Sequence, residues 1–474
     1  MKKNLSKKLI CGLGISVLSY GSAMAQMTLT GQVRTRSEYR AGQGTLQLSG
    51  DEPAIFTSQR TRLNFGYTGY RFKFFTAVQD VRVWGQDAST INRTTQEALN
   101  GLMIHEAYGE ILLNDTAPLS KIENLSLKIG RQEIAYDDQK ILGSLDWLQQ
   151  GRRHDAAVLK FANKGWMVDL GVAYNQNKEL NSYNRYNGVP ATIATAGTNT
   201  ISATPAYTAG TNGIGTMYKS FQYLYIGKKF FFGNGSLLCF KDDFNKTQTI
   251  AGANQVIGGE WSRLTTGAYL NAVILKKFTV TGSAYYQTGK DKTGRNLEAY
   301  LGSITTSLQL GRKLYIGPGM DYLSGDNGTR VMTSDEKSRR FDPLYGTPHK
   351  FWGFMDYFYV ASPFGGQGLK NYFFKIKYKA KDNLTLTVDL HNFAAANKVS
   401  DGKGGTQSAT LGNEIDFTAN YAMTKAVSFE FGYSMMSASS TMASAQVKNV
   451  KDPEKTAQWA YLMVVIKPNF MPAK

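Results

Sequence analysis

Polar and apolar residues alternate along short segments of this chain, and the same alternation returns from one end of the sequence to the other. In the segment TLTGQVRTRSEYR (28–40), Arg34 and Arg36 have one parity, whereas Val33 and Tyr39 have the other. Successive side chains of a β-strand point to opposite faces of its sheet. The pattern therefore predicts strands with one apolar face and one polar face.

Placing a strand wherever this period of two recurs predicts eighteen strands of about ten residues each. Their predicted bounds are 28–40, 59–68, 70–84, 103–113, 125–135, 152–162, 165–175, 219–230, 236–243, 261–274, 277–289, 299–311, 313–323, 369–380, 383–393, 411–423, 426–436 and 458–467. No stretch between them shows a sustained helical period, so the chain is predicted to be all-β.

The connections between the predicted strands alternate between short and long. Short ones such as 163–164, 275–276 and 424–425 alternate with long ones such as 176–218 and 324–368. An even number of antiparallel strands with short turns on one side and long loops on the other is typical of an outer-membrane β-barrel. A soluble β-sandwich, the alternative, gives no reason for this alternation. We therefore predict a membrane-spanning antiparallel β-barrel of about 18 strands, with long extracellular loops and short periplasmic turns.

Some positions depart from the regular pattern. The segment FWGFMDYFYV (351–360) has strand character but would make a nineteenth strand, so we expect a structured loop folded into the lumen. The adjacent Phe74 and Phe75, and a change of phase at Arg131, suggest β-bulges. Tryptophans near strand ends fit interfacial aromatic girdles; they are Trp84, Trp166, Trp261 and Trp459.

The first residues are consistent with export. The segment MKKNLSKKLICGLGISVLSYGSAMA (1–25) combines four lysines with a short apolar run and small residues at its end, which predicts a signal peptide. A single barrel domain, 26–474, then remains, with Cys239 as its one cysteine and no internal disulfide. Removing the four lysines from the 54 basic residues leaves 50 against 36 acidic residues, an excess that favours anionic partners. The predicted location is the outer membrane of a Gram-negative bacterium.

The polar parity of the first two strands is rich in arginine. In a barrel the apolar parity faces lipid, so Arg34, Arg36, Arg60 and Arg62 are expected to face the lumen. Eighteen strands enclose enough space for a water-filled channel. Rings of arginine select anions, and a guanidinium group matches a carboxylate bidentately. The alternative is that acidic residues pair with these arginines and form a ladder that only braces the wall.

Five segments resemble one known family. They read QDVRVWG (79–85), HEAYGEI (105–111), LKIGRQEIAYDDQKILGSLDW (127–147), QGRRHDAAVLKF (150–161) and PLYGTPHKFWGFMD (343–356). On these residues the chain is similar to the alginate export family of outer-membrane β-barrels. The resemblance implies an eighteen-stranded monomeric barrel that exports an acidic polysaccharide through an electropositive constriction of arginines and a few carboxylates.

The same resemblance implies that seven charged residues belong to that constriction, the arginines as substrate contacts and the acids as their orienting partners. The matching positions are Arg82, Arg131, Arg152, Arg153, Asp80, Glu133 and Asp155. Together with the four arginines expected from parity, they are the predicted pore-lining residues. An alternative is that these motifs serve the barrel rim and folding. The chain also departs from other barrels at its end, PNFMPAK, because Phe470 is not the terminal residue.

Known catalytic and cofactor-binding patterns are missing from the sequence. The four histidines are scattered without metal-ligand spacing, and there is no HExxH, nucleophile elbow or P-loop, so we expect neither an enzyme nor a cofactor or metal. The pair Asp137 and Asp138 could hold Ca²⁺ together with external loops, although a solvated turn is the simpler interpretation. Export also argues against nucleic acid as a partner.

Three classes of function fit the sequence. The first is a channel that exports an acidic, alginate-like polysaccharide or a related polyanion, and the second is a general diffusion porin or uptake channel for small solutes. The third is a structural barrel with an occluded lumen, for which loop 324–368 or loop 176–218 is the candidate plug. The expected partners are outer-membrane lipid, lipopolysaccharide, the polysaccharide and, for an exporter, periplasmic export proteins.

Overall fold

A computed structural model describes most of the chain. It covers residues 26–85, 102–114, 122–175, 178–180, 185–187, 218–250, 253–330, 333, 335–358 and 366–471. The predicted signal peptide, 1–25, and most of loop 176–218 lie outside the described residues, so the expectations for these two segments stay predictions.

The described strands form one large antiparallel sheet and two small hairpins. Their bounds are β1 Gln26–Ala41, β2 Ala54–Gly69, β3 Phe72–Val83, β4 Met103–Leu112, β5 Asn124–Gln132, β6 His154–Asn163, β7 Trp166–Tyr174, β8 Lys178–Leu180, β9 Arg185–Asn187, β10 Ser220–Phe230, β11 Gly233–Ile250, β12 Ala253–Ile274, β13 Phe278–Lys290, β14 Asn296–Leu310, β15 Leu314–Leu323, β16 Leu369–Lys381, β17 Leu384–Ala395, β18 Val399–Ser400, β19 Thr406–Gln407, β20 Thr410–Ala422, β21 Val427–Ala438 and β22 Thr456–Ile466. All eighteen predicted strands are confirmed.

The large sheet closes on itself. Each of its eighteen strands pairs with its neighbours in chain order, and β1 also pairs with β22, from Val33 opposite Ile466 to Ala41 opposite Gln458. A closed antiparallel barrel leaves no sheet edge unpaired. The two small hairpins are β8 with β9 and β18 with β19.

Among the described residues, helical structure is confined to short pieces. A single 3₁₀ turn spans Pro348–Lys350, and helix α1 spans Ser440–Ala443, with the side chain of Ser439 as its N-cap. None of the helices in the described ranges is long and apolar enough to cross a membrane.

Tight turns join the strands at one end of the barrel. Between β6 and β7, Lys164 and Gly165 both have positive φ, at 48° and 77°. This backbone matches the type I′ turn, whose twist suits an antiparallel hairpin. Both ends of the described chain lie at this end, where the backbone nitrogen of Gly31 donates to the carbonyl of Pro468. This end is therefore the periplasmic one.

The two faces of the wall differ in polarity as the alternation predicts. On β1, Val33 and Tyr39 are exposed on the outer surface, whereas Arg34, Arg36 and Glu38 are buried inside. Lipid covers the outer face of such a barrel, so its exposed leucines, isoleucines and tyrosines face hydrocarbon.

Two of the predicted girdle tryptophans do not face outward. Trp261 of β12 has the parity of the inward Arg263 and lies opposite the buried Phe244. Trp84 and Trp166 are exposed on the outside, as expected for a girdle. Trp459 instead points inward, is fully buried, and donates its indole N–H to Glu38. The prediction was wrong for Trp261 and Trp459 because a position near a strand end does not fix the face that the side chain occupies.

A register shift affects one of the regions where a bulge was suggested. Ala77 of β3 lies opposite Glu106 and Val78 lies opposite Ile104, so His105 of β4 is the extra residue. The bulge therefore lies on β4 rather than on the phenylalanine pair of β3. At Arg131 the pairing of β5 with both neighbours is regular, so the bulge suggested there is wrong.

Two loop segments fill the interior. The first plug segment is 133–153, between β5 and β6, and the second plug segment is 338–358, between β15 and β16. Apolar side chains of both segments are almost completely buried within the barrel; they are Leu142, Leu145, Trp352, Met355, Tyr357 and Phe358. The inward fold expected for 351–360 is thus confirmed over its described part, 351–358.

The two plug segments bind each other through their backbones. Tyr345 N donates to Ile141 O at 3.0 Å, Gly143 N donates to Tyr345 O at 2.9 Å, and a parallel bridge joins Leu142 with Tyr345. The rings of Trp147 and His349 stack with their centroids 4.1 Å apart. The two segments therefore form one unit inside the barrel, although about 200 residues separate them in sequence.

Candidate functional site

The arginines of β1 and β2 bind the first plug segment. Arg34 donates to the carbonyl of Asp146 at 2.7 Å and to Oε1 of Gln149 at 3.0 Å. Arg36 donates to the carbonyl of Trp147 at 2.8 Å. Arg60 lies 2.8 Å from Oδ1 of Asp146. These arginines point inward, as predicted. Their guanidinium N–H groups already donate to the first plug segment.

The carboxylate of Asp146 bridges two guanidinium groups. Its Oδ2 lies 3.3 Å from Nη1 of Arg34, while its Oδ1 pairs with Arg60. Burial disfavours the charged carboxylate of Asp146, but the positive charges of Arg60 and Arg34 outweigh this effect and lower its pKa from 3.8 to about 2. Asp146 is therefore ionised over the whole physiological range and holds the first plug segment against β1 and β2.

Part of the arginine set is braced by wall acids, as the alternative interpretation expected. Arg36 and Arg40 both pair with Glu38, at 2.9 and 2.8 Å. Glu38 also accepts the hydrogen bond from Trp459. This cluster is internally satisfied, and it fixes the orientation of Arg36 toward the plug.

Arg62 lies in a separate cluster at the bulge of β4. The Nε2 atom of His105 lies 2.9 Å from both Nη2 of Arg62 and Oε1 of Glu133. The backbone nitrogen of Glu133 donates to Oε1 of Glu106 at 3.0 Å. His105, Glu106 and Glu133 place possible metal ligands within 4.8 Å of one another. However, Arg62 already supplies a positive charge there, which opposes the binding of a metal cation.

Arg152 and Arg153 are the last two residues of the first plug segment, immediately before β6. Arg152 donates from Nη1 to the carbonyl of Gly346 in the second plug segment. Nη2 of Arg153 lies 3.6 Å from the sulfur of Met103, and burial lowers the pKa of Arg153. Arg152 therefore links the first plug segment to the second within the lumen.

Four predicted pore-lining residues point out of the barrel. Asp80 and Arg82 lie opposite Thr61 and Gln59, on the parity of β3 that carries the lipid-facing Phe74. Arg131 and Asp155 face each other across β5 and β6, and Arg131 also lies opposite the outward Ala107. Each acid pairs with its arginine, at 2.7 and 2.8 Å.

The prediction that these four residues line the pore was wrong. Strand register fixes the face of each side chain, and a motif match says nothing about that face. The four lie near the extracellular ends of their strands, where the outer surface of the barrel meets the headgroup region of the membrane.

Lysine and arginine also hold the plug to the opposite wall. Lys140 of the first plug segment lies 2.8 Å from Oδ1 of Asp321, and both side chains are almost fully buried. Arg263 pairs with Asp242 of the neighbouring strand at 2.6 Å and with Asp342 of the second plug segment at 2.7 Å. Sequence patterns give no signal for these pairs, since their members lie far apart along the chain.

Asp137 anchors the first plug segment to a third part of the wall. Its carboxylate accepts hydrogen bonds from Tyr225 at 2.9 Å and Ser236 at 2.8 Å. The neighbouring Tyr136 stacks on Tyr225 with a centroid distance of 4.1 Å and donates to Asp169 at 2.6 Å. Asp137 is thus neither part of a solvated turn nor directed toward external loops, and the calcium interpretation does not fit it.

Below the plug, the inward face carries lysines that were not included in the predicted site. Lys375, Lys377 and Lys379 of β16 share the inward parity of the buried Asn371. Lys375 pairs with Asp389, whereas Lys377 and Lys379 are exposed and form no ion pair among the described residues. Both lie near the periplasmic end of β16, over the ring of Tyr315. The period-two pattern places these lysines inside, so sequence reasoning could have included them.

A closed eighteen-stranded barrel with an apolar belt outside and charged residues inside defines a class, the outer-membrane β-barrel channels. The family model for alginate export matches residues 25–452. The chain therefore belongs to the alginate export family, and its location is the outer membrane of a Gram-negative bacterium. No curated protein sequence matches it.

Solved structures support the fold at low sequence identity. OccAB4 of Acinetobacter baumannii is 11% identical, covers 94% of this chain and 98% of its own, and has a TM-score of 0.58. OccK9 (OpdG) of Pseudomonas aeruginosa is 11% identical, with coverages of 94% and 99% and a TM-score of 0.55. OpdK of the same organism, crystallised with vanillate, is 10% identical, with coverages of 93% and 99% and a TM-score of 0.54. At such identities the likeness concerns the fold alone.

Proposed function

We propose that this protein is an anion-selective channel that passes a carboxylated saccharide, and that its natural solute is an acidic, alginate-like polysaccharide or a related polyanion. The observation that carries the proposal is the concentration of inward guanidinium groups on β1 and β2, at Arg34, Arg36, Arg60 and Arg62. Guanidinium pairs with carboxylate bidentately, and cationic linings select anions. We infer transport rather than catalysis.

The lower lumen supports the same proposal for export. An anion arriving from the periplasm first meets Lys377 and Lys379, which are exposed and have no carboxylate partner among the described residues. It next meets the underside of the plug, which binds the arginines. We propose that the plug moves for the solute to pass, and that Arg34, Arg60 and Arg62 are then the solute's contacts. In this proposal Glu133 orients Arg62 directly, since its Oε1 lies 3.9 Å from Nη1 of Arg62.

A second candidate is a general diffusion or uptake channel for small solutes. The plug segments favour it, because they fill space that a polymer chain would need. A small carboxylate such as the vanillate bound to OpdK would need less of the plug to move. The outward pairs formed by Asp80 with Arg82 and by Arg131 with Asp155 are proposed contacts for lipopolysaccharide. A monomer and periplasmic export partners remain predictions.

The experiment is a planar-bilayer recording of the mature chain, refolded from inclusion bodies, in a salt gradient. The reversal potential gives ion selectivity, and addition of oligouronates of increasing length gives block. The test variant is K377Q/K379Q, and the matched control is K276Q/K277Q, which removes the same charge from a periplasmic turn outside the lumen. We expect anion selectivity that falls in the test variant only, and block that strengthens with oligomer length.

Other outcomes separate the candidates. A large current with weak selectivity, and block that does not depend on oligomer length, would favour the general channel. Cation selectivity in the wild-type chain would contradict both the carboxylate solute and the role of the lysines.

A further inference from the structure

We propose that Glu414, Asp416 and Ser434 form a binding site for a divalent cation of the calcium type, in the barrel wall beneath the second plug segment. Glu414 and Asp416 are two residues apart on β20 and both face inward. Ser434 of β21 lies directly opposite Asp416 on the same face. The proposal concerns a site separate from the arginines and does not depend on the proposed solute.

The second plug segment covers the two carboxylates closely. Met355 N donates to Oε1 of Glu414 at 2.8 Å, and Phe354 N donates to Oδ2 of Asp416 at 3.3 Å. Gly353 has a φ of +82°, and a Cβ there would lie 2.5 Å from Oε1 of Glu414. Glycine is thus required for this approach. Both acids are only 1% exposed.

Each of the three side chains keeps one oxygen without a partner. Oε2 of Glu414, Oδ1 of Asp416 and Oγ of Ser434 are buried and form no hydrogen bond with any described residue. Leaving one buried polar atom unsatisfied is unfavourable, and more so if the atom is charged. Native structures satisfy nearly all such atoms with protein, water or an ion. Three unsatisfied oxygens on adjacent positions indicate that they share a ligand.

The charges around the site indicate that this ligand is a cation. Asp389 lies opposite Asp416 on β17, but its charge is matched by Lys375. His391 Nδ1 lies 2.9 Å from Oδ1 of Asn371, whose Nδ2 donates to Asp321. Nδ1 therefore carries a hydrogen and donates it to Asn371.

Nε2 of His391 lies 3.7 Å from Oδ2 of Asp416, which is beyond hydrogen-bond distance, and it leaves the other oxygen, Oδ1, unsatisfied. On the plug side, the nearby Asp356 is already paired with His349. No lysine or arginine among the described residues pairs with Glu414 or Asp416, and the imidazole of His391 is the nearest basic group that the structure gives for Asp416. Two buried charges need to be paired, and one divalent ion supplies that balance.

The donor atoms select the class of metal. Two carboxylates and a hydroxyl are hard oxygen ligands, which suit Ca²⁺ or Mg²⁺ better than zinc, whose sites use nitrogen and sulfur. Mg²⁺ retains several waters in octahedral geometry, whereas Ca²⁺ accepts irregular oxygen cages. Ca²⁺ takes about six to eight oxygens, so water would complete a shell begun by these three side chains, and Ca²⁺ is the expected ion because it tolerates such irregular geometry.

The test uses the full mature chain, refolded from inclusion bodies so that no lipopolysaccharide is present, and stripped with EDTA. Equilibrium dialysis against CaCl₂ measures stoichiometry, and thermal melts with and without CaCl₂ measure stabilisation. We expect one tightly bound Ca²⁺ per chain and a melting midpoint that rises with CaCl₂. The E414Q/D416N variant should lose both. The control D243N should keep both, because Asp243 is a buried carboxylate that already accepts from Ser220 and Ser262.

If E414Q/D416N does not fold, S434A serves instead, since it removes a single ligand and no charge. We expect S434A to weaken Ca²⁺ affinity about tenfold, which corresponds to the loss of roughly 1.4 kcal/mol. Absence of bound Ca²⁺ at millimolar concentration would overturn the proposal. So would binding that E414Q/D416N or a folded S434A leaves unchanged, or a midpoint that responds to pH but not to CaCl₂, which would indicate a shared proton.

Discussion

The carboxylate Oδ1 of Asp146 lies 2.8 Å from Nη1 of Arg60, which joins a loop inside the barrel to an almost completely buried arginine of its wall. Asp146 itself is half exposed at the edge of the plug, so water and solutes reach the carboxylate before they reach the arginine. The pair is therefore an accessible link between the first plug segment and β2.

Removing the charge of Asp146 should loosen the plug. In D146N the amide cannot neutralise Arg34 and Arg60, and a partly exposed pair is worth about 1 kcal/mol, so we expect roughly a fivefold rise in the open-to-closed ratio. Single-channel recording at pH 7 measures this ratio. The matched control is D401N, in an exposed turn where Asp401 accepts only from nearby backbone. Equal open probability in D146N and wild type would contradict the anchor role.

Lowering the pH should raise the open-to-closed ratio of the channel, as D146N does. The pKa of Asp146 is lowered in the folded protein, to about 2 from 3.8, so the pair stabilises the docked plug above pH 3.8. This stabilisation is lost as the pH falls from 3.8 through 2. We expect a constant open probability between pH 5 and pH 8 and a rise below about pH 4. D146N should lack the part of the acid response that comes from this carboxylate, and an equal rise in both proteins would assign the response to other groups.

A single substitution in the buried pair of Lys140 with Asp321 should strongly destabilise the docked first plug segment. D321N leaves the ammonium group of Lys140 buried without its charge partner, which costs roughly 3–5 kcal/mol in comparable cases. We expect the first plug segment to leave the lumen, detectable as protease cleavage within 133–153 in the intact barrel. The double variant K140M/D321L, which removes both charges, should regain protection. Cleavage of the double variant as fast as of D321N would mean that hydrogen bonding to Ser303, rather than charge, holds the segment.

Neutralising the outward pair should leave conduction unchanged. Arg131 and Asp155 are both more than a third exposed, so their pairing is worth at most about 1 kcal/mol. R131Q is expected to keep wild-type reversal potential and block by oligouronate, with a small change in melting temperature. A change of selectivity in R131Q comparable to that in K377Q/K379Q would show that Arg131 reaches the solute path despite its register.

The strands were predictable because their signal is local. Alternation over about ten residues reports both the strand and its lipid face, and the lengths of the connections report the topology. The arginines at 34, 36, 60 and 62 were assigned correctly to the interior for this reason. Each of them lies in the middle of a regular strand, where the parity of its neighbours is clear.

The errors occurred where the motif match was preferred to the parity of the strand. Asp80 and Arg82 were placed by the motif match, although the register of β3 puts them on the lipid face with Phe74. Arg131 shares the parity of the apolar Leu127 and Ile129 of β5, so the alternation alone points it outward, and the motif match was wrongly preferred. The motif match assigned a function to these positions but gave no information about the face of the barrel wall on which their side chains lie.

The first plug segment, and the ion pairs that hold the plug in place, could not be derived from the sequence. Lys140 and Asp321 lie 181 positions apart, and each sits in a stretch that carries no sign of its partner. The same holds for Arg263 with Asp342. These pairs form only because certain loops lie together in the lumen. The set of loops that do so depends on the closed barrel as a whole.

Strand β1 both closes the barrel against β22 and carries Arg34 and Arg36, which grip the first plug segment. When the plug leaves, the closing strand keeps its backbone pairing but loses the partners of its buried side chains. Displacement of the plug would therefore remove side-chain contacts from the strand that closes the barrel. The plug thus supports the closure of the barrel as well as filling its lumen.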